Sequence, residues 1–203
     1  MDATAAPQAP VAAPITRRSR LTTLAVMGVT AVIIAAVAFA VNQPAASTDG
    51  VTGVTLTGEA TGTAPTVGQP APDFTAMTID GETVTLSDFA GKPVWLTFGA
   101  SWCQPCRAEN PDIKATAEQY ADDGLVVMAV FISEDAAAVK DYADRVGLDY
   151  VKVADPMTEL SSQYRILGIP SHFFIDRDGV LQTMKIGSLD APGMAAAVEG
   201  ISR

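Results

Sequence analysis

The apolar segment from Val94 to Ala100, "VWLTFGA", constrains the fold of this chain more than any other feature. A strand of this composition has no face suited to water, so it belongs inside a sheet that is covered on both sides. The two cysteines of the 203-residue chain, Cys103 and Cys106, follow directly, and a helical pattern then continues to about Tyr120. The sequence therefore predicts a buried strand that ends at a cysteine pair and leads into a helix.

Strand and helix patterns alternate through the rest of the chain. Leu125–Ile132 is a second apolar strand, and residues 135–147 predict a helix that ends at a glycine. The turn dipeptides Asp80-Gly81 and Asp178-Gly179 each separate two strand patterns, which predicts two hairpins. Strand-helix units combined with hairpins predict an α/β fold with a mixed central sheet flanked by helices.

The segment from Leu21 to Val41 carries no charged residue. As a helix it would be about 31 Å long, which matches the hydrocarbon core of a bilayer. Arg17, Arg18 and Arg20 precede it, and by the positive-inside tendency they stay in the cytoplasm. We therefore expect a single-pass transmembrane anchor at 21–41, a cytoplasmic tail at 1–20 and an extracytoplasmic C-terminal part at the cell membrane.

A cleaved signal peptide is the alternative to an anchor. Ala38-Phe39-Ala40 has the small-x-small pattern of a cleavage site, although the apolar segment exceeds the usual length of about 7–15 residues. The pair Arg17-Arg18 also permits a twin-arginine signal. All of these alternatives place the rest of the chain outside the cytoplasm.

Composition divides the remaining chain into three parts. Residues 1–20 are rich in Ala and Pro and are predicted to be disordered. Residues 42–68 are mainly Ala, Thr and Gly, which predicts a flexible linker. Residues 69–203 are long enough for one domain with its own core. With 23 acidic and 13 basic residues the formal net charge is −10, which argues against binding to nucleic acid.

Two cysteines three positions apart permit a structural disulfide, a metal site or a redox couple. A disulfide that closes so short a loop constrains the unfolded chain little. A structural zinc site needs four Cys or His ligands, but the chain has two Cys and one His. A copper site formed by Cys103, Cys106 and His172 stays open, although a lone His in a strand is more often packed in the sheet. The redox couple is favoured.

The position of each cysteine suggests its chemistry. The first helical turn leaves N–H groups unpaired and carries a partial positive charge, which stabilises a thiolate at Cys103. Cys106 lies one turn later, better shielded, where it can attack a mixed disulfide formed on Cys103. Pro105 is tolerated in a first turn. Glu109 lies a further turn along a similar face, so it either exchanges a proton with Cys106 or faces solvent.

These residues amount to a family resemblance. "WCQPC" after an apolar strand, with "GIPSHFFID" downstream, resembles the thioredoxin superfamily. Residues 67–203 are similar to its TlpA/ResA-like branch, which has a redoxin or AhpC/TSA-like domain. The resemblance implies a thioredoxin-like fold, with a mixed central sheet flanked by helices, an N-terminal β-hairpin extension and a βα insert.

The resemblance also implies a role for each site residue. Cys103 and Cys106 are expected to form a redox-active disulfide, in which Cys103 is the attacking thiol and Cys106 the resolving thiol. Glu109 matches the active-site glutamate of this branch. Four further residues are expected to support the site: Trp102, Gln104, Pro105 and Pro170. Of these, Pro170 is expected to be a cis-proline whose loop pairs with the substrate backbone.

The chain departs from its relatives at several positions near the cysteines. Gly99 stands where an aromatic residue is usual, Gln104 replaces a proline or glutamate, and Ser171-His172 replaces two threonines. Thr97 stands where thioredoxin itself has a buried acid, which strengthens the expectation for Glu109. The departures at Gly99 and Gln104 bear on reduction potential and substrate preference.

The resemblance implies a membrane-tethered thiol-disulfide oxidoreductase without a cofactor or resident metal. It is expected to reduce exported proteins, such as the haem-site cysteines of apocytochrome c, and to receive electrons from a membrane thiol carrier of the CcdA/DsbD kind. One alternative is a Cu(I)-binding metallochaperone that uses Cys103, Cys106 and His172. Another is a thiol peroxidase, although Leu96 and Ala100 stand where that chemistry needs Pro and Thr.

Overall fold

The computed structural model of the protein describes residues 25–34 and 50–203. Residues 25–34 lie in a helix, α1, whose side chains are exposed. In these two ranges no helix is both long and apolar enough to cross a bilayer. The rest of the expected anchor at 21–41, the tail at 1–20 and residues 42–49 of the linker lie outside the described residues.

Residues 50–203 contain alternating strands and helices, as the sequence predicts for the part of the chain from residue 69 onward. The strands are β1 (Thr52–Gly53), β2 (Thr75–Met77), β3 (Thr83–Thr85), β4 (Val94–Gly99), β5 (Val126–Ile132), β6 (Val151–Asp155), β7 (Gly168–Ile169), β8 (Ser171–Ile175) and β9 (Leu181–Ile186). The helices are α2 (Gln104–Gln119), α3 (Ala136–Val146), α4 (Glu159–Gln163) and α5 (Ala191–Ile201), and a short 3₁₀ helix covers Leu86–Phe89.

Five strands form one mixed sheet in the order β6-β5-β4-β8-β9. β4, β5 and β6 are parallel, whereas β8 runs antiparallel to β4 and to β9. The apolar strand β4 is central, and its residues Trp95, Leu96 and Phe98 are fully buried. The prediction of a central strand covered on both faces, in a thioredoxin-like α/β fold, is confirmed.

Alternating side chains of β4 belong to two apolar clusters on opposite faces of the sheet. Leu96 and Phe98 belong to a cluster that also includes both cysteines. Trp95 belongs to the other cluster, which packs against residues of α2, α3 and α5. Burying each large apolar side chain contributes roughly 1.5–3 kcal/mol to folding, so the two clusters hold the start of α2 firmly at the end of β4.

Two small antiparallel pairs lie outside the main sheet. β2 and β3 form the hairpin predicted at Asp80-Gly81. β1 pairs with β7, although the composition of 42–68 predicted a flexible linker there. The reason is local, because β-branched residues such as Val51 and Thr52 favour extended backbone and β7 offers them a strand edge.

The connection from β4 to α2 lies at a switch point of the sheet, where the strands that follow β4 in the chain lie on opposite sides of it. The chain passes from β4 to parallel β5 on one side, whereas antiparallel β8 lies on the other. In open α/β sheets a crevice forms at such a point, outside the carboxyl ends of the strands. The fold therefore places Cys103 and Cys106 where a functional site is expected.

Candidate active site

The cysteine pair occupies the first turn of α2. Cys103 is the N-cap residue, and its Sγ accepts a hydrogen bond from the backbone N–H of Cys106 at 3.2 Å. Pro105 lies in the first turn, where a missing N–H costs little. The two sulfurs are joined in a disulfide. A thiolate at Cys103 would keep that N–H donor and the positive end of the helix, so this position suits a nucleophile.

The residues around the disulfide differ sharply in exposure. Cys103 is only 1% exposed and Cys106 is 8% exposed. Trp102 borders the pair and is 47% exposed, Gln104 is exposed, and Pro105 is half-buried. The sequence predicted that Cys106 would be the better shielded thiol, and this is wrong, because both cysteines are buried and Cys103 is the less exposed of the two. Both are buried because residues outside α2 cover Cys103 as well.

Glu109 lies buried on α2 rather than facing solvent, with 3% of its surface exposed. Its Oε1 accepts a short hydrogen bond from the backbone N–H of Leu189 and lies 3.5 Å from Nε2 of His172. Its Oε2 has no hydrogen-bond partner among the described residues. A buried carboxyl oxygen without a partner is free to take or give a proton.

The contacts of His172 determine which of its ring nitrogens carries hydrogen. The indole Nε1 of Trp95 lies 3.3 Å from Nδ1 and can only donate, so Nδ1 accepts. Thr97 Oγ1 lies 3.0 Å from the same nitrogen. The neutral imidazole therefore carries its hydrogen on Nε2, the nitrogen that faces Glu109. His172 Nε2 lies 3.5 Å from Oε1 of Glu109 and makes no hydrogen bond among the described residues.

A small cavity of about 30 Å³ joins the carboxyl group to the resolving thiol. Its lining includes Gly99, Cys106, Glu109, Tyr142 and Pro170. The cavity has room for a water molecule, which could carry a proton between Glu109 and Cys106. Burial raises the pKa of Tyr142, so its hydroxyl stays protonated at neutral pH.

Gly99 leaves space beside the Cys106 sulfur. A Cβ at position 99 would lie 3.4 Å from both Cβ and Sγ of Cys106. An aromatic side chain, which the family resemblance leads us to expect here, would therefore have to extend past this sulfur. The departure at Gly99 thus helps to keep open the cavity that Cys106 shares with Glu109.

Pro170 lies at the edge of the same cavity, between β7 and β8. The bond between Ile169 and Pro170 is cis, as the resemblance implies. The carbonyl of Pro170 accepts a hydrogen bond from Gly187 N at 2.8 Å, which holds the loop against β9. The structure thus brings Pro170 together with the two cysteines and Glu109.

A residue that the sequence pattern did not indicate holds the loop before Cys103. The buried Glu134 carboxylate accepts hydrogen bonds from the backbone N–H of Ser101, at 2.7 Å, and from the Ser101 hydroxyl. Arg107 donates to the Ser101 carbonyl at 3.2 Å. Glu134 follows the end of β5, which lies beside the end of β4, and this topology was the available signal.

The structure lends no support to the two alternative chemistries. Across residues 25–34 and 50–203, no three His, Cys, Asp or Glu side chains form a group suited to a metal ion. His172 contacts Glu109 and Thr97 instead, so the copper interpretation is not supported. At the two positions where peroxide chemistry needs Pro and Thr, the structure has the buried apolar side chains of Leu96 and Ala100.

Comparison with known proteins agrees with this site. The model of the AhpC/TSA family matches residues 67–184. Thiol-disulfide oxidoreductase ResA of Geobacillus kaustophilus is 32% identical over 139 residues, which is 68% of this chain and 80% of that protein. Thioredoxin-like protein YneN of Bacillus subtilis is 35% identical over 124 residues, covering 60% of this chain and 72% of that protein.

A solved structure gives the same result. The crystal structure of a thiol:disulfide interchange protein of the thioredoxin family from Chlorobium tepidum TLS has a TM-score of 0.62 and 26% identity to this chain. It covers 69% of this chain and 100% of its own. The cysteine pair at the start of α2 supplies the chemistry that these names describe. The chain therefore belongs to the AhpC/TSA family and is a thiol-disulfide oxidoreductase of the ResA/DsbE type.

Proposed function

We propose that this protein is a membrane-anchored, extracytoplasmic disulfide reductase that acts on exported proteins, including the haem-site cysteines of apocytochrome c. The observation that carries the proposal is the cysteine pair at the helix start together with the buried Glu109 beside it. An acidic group that shares a cavity with the resolving thiol suits a protein that must deliver protons as well as electrons.

The reaction follows from the positions of the two sulfurs. In the dithiol form, Cys103 thiolate attacks a substrate disulfide, forms a mixed disulfide and releases one substrate thiolate. Cys106, deprotonated by Glu109, then attacks Cys103 Sγ and releases the second substrate thiolate. The protein ends with the Cys103–Cys106 disulfide, and the substrate has gained two electrons and takes up two protons.

Glu109 has a defined task in the second half of this cycle. It accepts the proton of Cys106 as that thiol attacks, and it can return the proton to the leaving substrate thiolate. The backbone N–H of Leu189 holds Oε1, which also lies 3.5 Å from His172 Nε2, and this leaves Oε2 as the exchanging oxygen. The Cys103–Cys106 disulfide is then reduced by a membrane thiol carrier of the CcdA/DsbD kind.

The membrane location rests on the sequence. The uncharged segment from Leu21 to Val41 follows three arginines, which favours a cytoplasmic N-terminus and an exported domain. An exported disulfide reductase works in an oxidising compartment, so it needs electrons from across the membrane. A thiol carrier embedded in the membrane would meet this need.

The substrate proposal can be tested by trapping. A Cys106→Ala variant cannot resolve the mixed disulfide, so substrates stay attached to Cys103 in the native host and can be identified by mass. The Cys103→Ser variant is the control for adducts that do not involve this site. Capture of haem-motif proteins supports a role in cytochrome c maturation, whereas capture of other exported proteins without any haem-motif protein contradicts that role.

The direction of electron flow needs a separate measurement. Rapid acid quenching of cells, followed by thiol alkylation, reports whether Cys103 and Cys106 are present as a dithiol or as a disulfide. A reductase is kept as the dithiol by its electron donor. A pool that is mostly disulfide would contradict the proposed direction.

A further inference from the structure

The segment of residues 50–58, here called the strap, lies across the active site. Within it, β1 forms an antiparallel pair with β7, in which Thr52 faces Ile169 and Gly53 faces Gly168. The ladder continues weakly, because Val54 N donates to the carbonyl of Leu167 at 3.5 Å. The strap therefore uses the backbone edge that immediately precedes Pro170.

The strap also contacts the nucleophile. Thr52 Oγ1 lies 3.9 Å from Sγ of Cys103. Cys103 is 1% exposed, although its neighbour Trp102 is 47% exposed. Thr52 is thus part of the layer that separates the sulfur from solvent. Thiol-disulfide exchange requires a substrate sulfur in direct contact with Cys103 Sγ, and Thr52 restricts that approach.

A second attachment holds the other end of the strap. The hydroxyl oxygen of Thr158 accepts hydrogen bonds from the backbone N–H groups of Thr57 at 2.7 Å and Gly58 at 2.9 Å. Thr158 is 1% exposed, at the start of α4. A Cβ at position 58 would lie 2.7 Å from the Thr158 carbonyl oxygen, so this close approach requires glycine.

Position 168 shows the same close fit on the other side of the pair. A Cβ there would lie 2.5 Å from Cγ1 of Val51. The backbone of β7 thus lies directly against the Val51 side chain of the strap, and position 168 has no room for a larger residue unless that side chain moves. A glycine at each of the two attachment points indicates that the strap packs specifically against the rest of the domain.

The strap is held by a short strand ladder, by hydrogen bonds near its two ends and by Val54, which packs against the core. Its strand has two residues, and Gly53 and Thr57 are exposed. Segments with short ladders and exposed backbone open at low free-energy cost. When the strap leaves, β7 presents an unpaired strand edge beside the active sulfur, and an extended polypeptide can pair with such an edge.

We propose that the strap is an intramolecular pseudosubstrate, which occupies the strand edge of β7 that an extended segment of a protein substrate uses. The substrate must displace residues 50–58 before its disulfide reaches Cys103. This proposal rests on the proposed exchange activity of the cysteine pair. It narrows the substrate class to polypeptides that can present an extended backbone on at least one side of the disulfide.

A single substitution is expected to release the strap from Thr158 and β7 without altering the residues of the cysteine site. In the full chain, Gly58→Ala forces a side chain against the backbone of Thr158. Gly200→Ala is the matched control, because a Cβ at position 200 meets nothing within 4 Å. If the strap is closed about nine-tenths of the time, releasing it raises the apparent affinity for a polypeptide substrate roughly tenfold.

The measurement is the steady-state reduction of insulin by each full chain. We expect Gly58→Ala to lower KM roughly tenfold with kcat unchanged, whereas Gly200→Ala matches the wild type. Equal KM values for Gly58→Ala and wild type would overturn the strap proposal while leaving the exchange activity intact. Absence of insulin reduction by every chain would instead contradict the proposed function.

Hydrogen exchange supplies a second measurement that does not depend on the Gly58→Ala variant. In the Cys106→Ala chain, the amides of Val54, Thr57 and Gly58, which donate hydrogen bonds to Leu167 and Thr158, are expected to be protected before substrate is added. They should lose this protection when an insulin chain is attached to Cys103 as a mixed disulfide. Protection that stays unchanged in the mixed disulfide would overturn the proposal, because the substrate would then not occupy the position of the strap.

Discussion

Glu109 joins three parts of the molecule at one carboxyl group. It is placed on α2, its Oε1 is held by Leu189 N from the loop before α5, and the same oxygen faces His172 on β8. Its second oxygen has no partner among the described residues, and Glu109 belongs to the lining of the cavity beside Cys106. This combination of one fixed and one free oxygen suits proton exchange with a thiol.

Replacing Glu109 with glutamine tests that task. Gln keeps the shape and the acceptor for Leu189 N, but it cannot take up a proton at neutral pH. We expect resolution of the mixed disulfide to slow about 10²-fold, the lower end of the range for general acid-base catalysis. Single-turnover reduction of insulin measures this step.

The control for Glu109→Gln is the reaction that does not involve Cys106. Alkylation of Cys103 in the reduced protein should keep nearly its wild-type rate, since Cys103 draws its stabilisation from the helix start. A resolution rate close to that of the wild type would remove Glu109 from the mechanism.

Residues near each other in sequence were predictable, and residues brought together by the sheet were not. Helical spacing from Cys106 identifies Glu109 as a candidate, because a turn of helix fixes their relative positions. The contacts of Glu109 with His172 and of Glu134 with Ser101 depend on which strands are neighbours. A single His or Glu in the sequence carries no signal of that pairing.

At the level of elements, α4 depends on a buried carboxylate at the end of β6. Asp155 is 5% exposed and accepts hydrogen bonds from the backbone N–H groups of Leu160 and Ser161, at 3.3 and 2.8 Å, and from the Ser161 hydroxyl at 2.6 Å. The N-cap residue Thr158 makes no side-chain cap of its own. Asp155 therefore takes the place of an N-cap for this five-residue helix.

Asp155→Ala should lower the free energy of unfolding by about 3 kcal/mol, because it leaves several buried donors without a partner. Asp135→Ala is the comparison, since Asp135 caps α3 at an exposed position through Ala138 N and should cost only about 1 kcal/mol. Urea unfolding monitored by circular dichroism measures both. Equal losses for the two variants would refute this role of Asp155.

Elements with strong apolar periodicity were predictable from the sequence, within a residue or two of their observed bounds. β4 and β5 are examples, because their composition requires burial on both faces. β1 was missed, since two residues within an Ala, Thr and Gly-rich segment give no periodic signal. Its partner β7 makes it a strand, and that partner is far away in the chain.

Across the whole molecule, two buried tyrosines link stability to alkaline pH. Burial raises the pKa of Tyr164 and of Tyr150, and the negative charge of Asp73 adds to the shift at Tyr164. The hydroxyl of Tyr164 also donates to the carbonyl of Pro72 at 2.7 Å. Both side chains therefore stay protonated in the folded protein at pH values where an unfolded chain ionises.

The direction of the pH effect follows from proton binding. Above the ordinary tyrosine pKa near 10, the unfolded chain loses protons that the folded chain keeps, so stability falls as pH rises. Each tyrosine contributes a decrease of about 1.4 kcal/mol per pH unit. Below pH 10 the full stability is present.

Tyr164→Phe should reduce the alkaline slope of the unfolding free energy by about 1.4 kcal/mol per pH unit, although the lost hydrogen bond lowers stability by about 1 kcal/mol at neutral pH. Urea unfolding at several pH values between 8 and 11 provides the slope. A variant with the wild-type slope would show that Tyr164 ionises equally in both states.

The central claim about the whole molecule is that Cys103 attacks and Cys106 resolves. The most direct test mixes reduced Cys106→Ser and Cys103→Ser variants separately with insulin and measures the mass of each protein with time. The account predicts a persistent mixed disulfide on Cys103 in the Cys106→Ser variant, and neither an adduct nor insulin reduction with Cys103→Ser. Adduct formation at Cys106 in the Cys103→Ser variant at the wild-type rate would contradict it.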